Sequence, residues 1–107
     1  MILEIADISI KPEMQRQFEQ GVAQALPIFR SAKGFVDLEL RRGIEDPFRY
    51  HLMVNWNSVA DHVEHFQASE GFREWRKLVG ACFSKPPLVD HSERLLSTAI
   101  SDSSESR

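Results

Sequence analysis

The spacing of apolar positions switches between two and three-or-four along the chain, and the switches delimit the elements. From Ile2 to Ile10 side chains alternate, with Ile2, Glu4, Ala6, Ile8 and Ile10 on one side and Leu3, Ile5, Asp7 and Ser9 on the other. This predicts a first strand carrying apolar residues on both faces. Lys11-Pro12 suits a helix start, because proline's fixed φ and missing N–H fit a first turn. Met14, Phe18, Val22, Ala25, Phe29 and Ala32 then recur at helical spacing, closing near Gly34. Pro27 removes one backbone bond and crowds the preceding turn, so a kink or break is expected near Ala23 to Leu26.

Phe35 to Arg42 alternates again, with Val36, Leu38 and Leu40 against Asp37, Glu39 and Arg41. Turn residues from Gly43 to Pro47 lead antiparallel into a third strand, Arg49 to Trp56, which sets Tyr50, Leu52, Val54 and Trp56 against His51, Met53 and Asn55. Ser58, with Asp61 three residues on, then opens a helix with Val59, Val63 and Phe66 on one face and His62 on its shoulder. Ser69-Glu70-Gly71 interrupts the pattern before a second stripe of Phe72, Trp75, Leu78, Val79 and Cys82. Ser84 to Pro87 ends that helix, and Leu88 to Leu96 reads as the last strand.

The order is β-α-β-β-α-β, the split ferredoxin-like arrangement of an α+β domain: an antiparallel four-stranded sheet with helices on one face. Helices on one side leave the other sheet face, with its aliphatic residues, open to water. Covering such a face is worth roughly 25 cal/mol per Å² of apolar area, which predicts a homodimer packed sheet against sheet.

Composition adds bounds to this picture. A chain of 107 residues encloses one modest core, read here as a domain over residues 1–96 with a polar, serine-rich tail over 97–107. A formal charge of -3, from 13 basic and 16 acidic side chains, offers neither a nucleic-acid footprint nor a polybasic membrane anchor. The one cysteine, Cys82, sits among apolar neighbours and reads as a buried structural thiol. The opening residues lack the basic and long apolar runs of a signal peptide or membrane span, so the cytoplasm is the expected compartment.

In its opening strand ILEIADISIKP, the hairpin RRGIEDPFRYHLMVNW, the aromatic-bearing segment from Asp61 to Trp75 and the closing PPLVDH, the chain resembles the antibiotic biosynthesis monooxygenase (ABM) family of dimeric α/β-barrel proteins. The resemblance implies a pocket between sheet and helices. In several members it implies oxidation of electron-rich aromatics by O₂ with no metal, flavin or haem cofactor. A haem-degrading branch of the same superfamily uses an asparagine, a tryptophan and an iron-ligating histidine. This chain places Asp7, Phe66 and Arg76 there, and a guanidinium has no lone pair for iron.

Triplet O₂ reacts slowly with closed-shell organics, so a substrate must supply the electron as a deprotonated hydroquinone, naphthol or anthrone. The pocket then needs a base, hydrogen bonds for the phenolate, and dryness. His62 is the candidate base, because its ordinary pKa lies near neutrality. Asp7 is the candidate assistant, orienting the imidazole or bonding the substrate, and Trp56, Phe66, Phe72 and Trp75 are candidate aromatic walls. Each has a plainer reading: His62 as a helix-shoulder residue bonded to backbone, and Phe72 and Trp75 as core. His62 and His65, three residues apart, lack the spacing and glutamate of HExxH, so no metal site is expected. Two function classes stay open: an oxygenase acting on a small aromatic and O₂, and a non-catalytic dimer that binds or senses a small molecule in the same pocket.

Overall fold

A computed structural model describes residues 1–99. Strands β1 (Ile2–Ser9), β2 (Phe35–Arg42), β3 (Arg49–Trp56) and β4 (Leu88–Ser92) form one antiparallel sheet in the order β2-β3-β1-β4. Helices α1 (Gln15–Arg30) and α2 (Glu70–Val79) join them in the expected βαββαβ order.

The register decides which face is covered. Ile2 pairs with Trp56, Glu4 with Val54, Ala6 with Leu52 and Ile8 with Tyr50, so these side chains share the face under the helices. Phe18, Val22, Ala25 and Phe29 of α1 close over it, with Phe18 edge-on to Tyr50 at 4.9 Å between centroids and Phe29 edge-on to Trp75 at 5.2 Å. Gly21 lets the two helices touch. A Cβ there would stand 3.0 Å from Val79 Cγ1 and 3.1 Å from the Leu78 carbonyl. The opposite face presents Leu3, Ile5 and Met53 among Asp7, Arg49, His51 and Asn55.

Several local expectations change. Helix α1 begins at Gln15, one turn after Pro12, because Glu13 takes a positive φ of 72°. It runs through Pro27 without a break: the proline lies in the last turn, and its own carbonyl still accepts the Ser31 N–H. An irregularity between Phe35 and Asp37 turns Phe35 towards Trp56 and leaves Val36 exposed, so β2 starts its alternation two residues late. Strand β4 stops at Ser92, with Leu95 and Leu96 almost fully exposed. The expected polar tail lies mostly outside the described residues.

The segment after β3 departs most from its reading. Ser58 Oγ accepts the Asp61 N–H, as a cap should. The turn that follows, Asp61–Phe66, is π-helical, and the Gln67 N–H reaches back five residues to the His62 carbonyl. The wider winding buries Asp61, His62 and Phe66 and turns Val59 and Val63 outward. Ser69 then caps α2 by accepting the Phe72 N–H at 3.1 Å.

Candidate functional site

Between β1, β4 and α2 lies a half-open cavity of about 510 Å³. Ala6, Ile8, Leu52, Phe72 and Trp75 give it apolar walls, and Pro86 and Pro87 close one side. Arg76 and Lys85 also line it. Neither makes an ion pair with a carboxylate among the described residues, and the Arg76 guanidinium lies over the Phe83 ring at 5.7 Å. Among the described residues, the one acidic side chain in the lining is Glu4.

Glu4 is 6 % exposed, a carboxyl set into the covered face of β1 by strand alternation. Trp56 Nε1 donates to Glu4 Oε1 at 2.9 Å, and His62 Nε2 stands 3.3 Å from that same oxygen. Oε2 has no protein partner among the described residues. Burial pushes the Glu4 carboxyl up to about 7, against the smaller downward pull of the Trp56 bond. A carboxyl poised near neutrality against largely apolar walls is equipped to take and return a proton at physiological pH.

Behind Glu4 stands a second layer. His62 is 3 % exposed, stacks on Trp56 with ring centroids 5.5 Å apart, and holds its Nδ1 2.9 Å from His91 Nε2. His91 is half-buried on β4 and is the direct cross-strand partner of Glu4 on β1. Burial, and then the neighbouring His91, pull the His62 imidazole down to about 4, which keeps it neutral at pH 7.

The expected site residues therefore separate into three groups. Phe72 and Trp75 line the cavity, Trp75 serving as core and wall at once. Trp56, Phe66 and His62 sit one layer deeper and do not reach the cavity surface. Asp7 lies on the other face of the sheet. It is bidentate to Arg49, at 2.9 and 2.7 Å, and that guanidinium holds its carboxyl below the usual range. It cannot orient His62, because odd and even positions of β1 point to opposite sides.

Glu4 itself escaped the sequence reading. Its signal was present: an acid aligned with Ile2, Ala6 and Ile8 on a face whose partner strand supplies Tyr50, Leu52, Val54 and Trp56. His62 and His65 diverge on the π-helical turn, one buried and the other exposed.

Comparison with known proteins matches residues 1–78 to the sequence profile described as "Antibiotic biosynthesis monooxygenase". The uncharacterised protein YczJ of Bacillus subtilis is 33 % identical over 91 residues, spanning 85 % of this chain and 96 % of its own. A provisionally named antibiotic biosynthesis monooxygenase of Bordetella bronchiseptica has the same fold, with TM-score 0.88 and 48 % identity over 89 % of this chain and 97 % of that one. A variant of SnoaB, a cofactor-independent oxygenase of Streptomyces nogalater, shares the fold at TM-score 0.78 and 15 % identity, over 92 % of this chain and 97 % of its own. No helix among the described residues is long and apolar enough to cross a membrane.

Proposed function

Because the chain belongs to the antibiotic biosynthesis monooxygenase family, we propose that it oxidises a small electron-rich aromatic of the quinol, naphthol or anthrone type with O₂, without metal, flavin or haem. The observation that carries this reading is the buried carboxyl of Glu4, the one acidic side chain among the described residues lining a cavity of about 510 Å³ whose walls are largely apolar. That volume lies within the usual range for small-molecule sites.

The chemistry asks little beyond what these residues offer. Glu4 removes the acidic proton, the resulting anion gives an electron to O₂ and then bonds to it, and the peroxide anion takes a proton back to become the hydroperoxide. For an anthrone-type methylene, loss of water from the hydroperoxide leaves a ketone, so CH₂ and O₂ become C=O and H₂O. Phe72 and Trp75 flank the ring, and Arg76 and Lys85 favour the anionic form. Apolar walls keep water from competing for the peroxide.

The same reading has the protein working as a homodimer through the open sheet face, where Leu3, Ile5 and Met53 form an apolar centre ringed by charges. Sedimentation at low micromolar concentration tests it, with a monomer boundary as the contrary result.

Oxygen uptake against naphthols, hydroquinones and anthrones, with heat-killed protein to correct for autoxidation, is the test of activity. Uptake abolished in Glu4→Gln supports the oxygenase. Thermal stabilisation by these compounds without uptake would identify a binding protein instead.

A further inference from the structure

The Glu4 carboxyl presents a difficulty of access. Glu4 is 6 % exposed at the inner wall of a half-open cavity, so a planar substrate filling that cavity would stand between the carboxyl and bulk water while the proton that Glu4 has taken is still to be passed on. The structure offers one continuous line of polar atoms leading away from it. It runs from Glu4 Oε1 to His62 Nε2 at 3.3 Å, through the imidazole to Nδ1, and on to His91 Nε2 at 2.9 Å. It ends on β4 at a half-exposed residue, having passed through a ring that is itself 3 % exposed.

We infer that Glu4, His62 and His91 form a proton relay, in which Glu4 meets the substrate and the two histidines carry its proton between the substrate-filled cavity and solvent. This deepens the proposed function and rests on it. The transfer balances as one proton in and one out. Glu4 takes the substrate proton, and rotation about its terminal torsion, which is soft and two-fold, presents that proton to His62 Nε2. His62 releases a different proton from Nδ1 to His91 Nε2, and His91 releases one from its own Nδ1 to water. Each ring changes tautomer, and the return movement restores it. A neutral His62 is required, since an imidazolium has no lone pair to receive a proton.

Other roles fit this geometry less well. A metal bridging the three would need one lone pair from each, whereas His62 directs its two nitrogens separately at Glu4 and His91. A fixed ion pair would need a charged imidazole where burial disfavours one. The charged or titratable groups nearby are Asp61, Glu64 and His65 on the same π-helical turn, and Arg76 and Lys85 across the cavity.

Two measurements test the relay. The first uses the ligand-free protein with ¹⁵N-labelled histidine. A neutral His62 at pH 7, with a through-bond coupling from its Nδ1 to His91 Nε2, is expected; an imidazolium at His62 would overturn the relay whatever the substrate proves to be. The second compares oxygen uptake with a naphthohydroquinone in wild type and His91→Gln. A loss of tenfold or more in kcat, with KM unchanged and restored by millimolar imidazole, is expected, whereas Glu4→Gln should be inactive and beyond imidazole rescue. Full activity in a folded His91→Gln, or a loss imidazole does not restore, would overturn the relay while leaving the oxygenase reading intact. Absence of uptake by the wild type would refute the oxygenase reading, and the labelling result would still judge the relay.

Discussion

Trp56 Nε1 and Glu4 Oε1 meet at 2.9 Å across a separation of 52 residues, a buried hydrogen bond that joins the end of β3 to the start of β1. The indole fixes one carboxyl oxygen and stacks on His62, so a single core side chain orders both acid–base groups. Trp56→Phe keeps an aromatic side chain, smaller than the indole, but removes the donor. The Glu4 carboxyl should then titrate above its present value of about 7, because the bond it loses favours the ionised form. Stability should fall by about 1–2 kcal/mol, as for a buried acceptor left with fewer partners. Infrared titration of the carboxyl band and urea denaturation measure the two effects.

Glu4 and His62 pull the pH dependence of stability in opposite directions. The Glu4 carboxyl is raised to about 7 in the folded chain, so its contribution is fullest below its unfolded value and is lost as pH rises towards 7. His62 is lowered to about 4, so the folded state binds fewer protons there, and stability is lost as pH falls from its unfolded value towards 4. Wild type should therefore be nearly flat between these limits. In Glu4→Gln only the histidine effect remains, and stability should drop by about 2–3 kcal/mol on acidification. Chemical denaturation at a series of pH values reads the slope directly.

Asp7→Asn should leave ligand binding and oxygen uptake in the cavity unchanged, because its carboxylate bonds Arg49 on the far face of the sheet. As a half-exposed pair it should cost the protomer less than about 1 kcal/mol. Any larger effect should appear in the monomer–dimer equilibrium, which sedimentation velocity resolves.

Gly34 has φ +78°, and an added Cβ would collide with the Asp61 side chain. Gly34→Ala should destabilise the fold by about 1–3 kcal/mol from backbone strain alone. It should also loosen the π-helical turn bearing His62, since Asp61 opens that turn. Thermal melting and the His62 imidazole signals would report both.

Cavity size should matter more than polarity for the aromatic wall. Phe72→Ala removes a ring lining the cavity at its α2 side, and should weaken binding of a naphthol at least tenfold by calorimetry while the fold persists. Retained affinity would place the ligand elsewhere.

Element order and type were legible along the chain because hydrophobic periodicity is a local property. The alternation of β1 and β3, the hairpin turn between Arg42 and Arg49, and the cap at Ser58 all follow from neighbours within a few residues. Apolar residues on both faces of β1 left undecided which face the helices would cover, and that choice settles the candidate site. It puts Glu4 beside Trp56 and His62 and sends Asp7 to the other side. The π-helical turn had no signature in the spacing of Val59, Val63 and Phe66; its winding answers the packing of His62 on Trp56 and of Asp61 against Gly34. The sequence by itself determined the β-α-β-β-α-β order and the aromatic inventory. Only the tertiary structure decided which carboxyl is buried, because desolvation depends on cross-strand partners far apart in the chain.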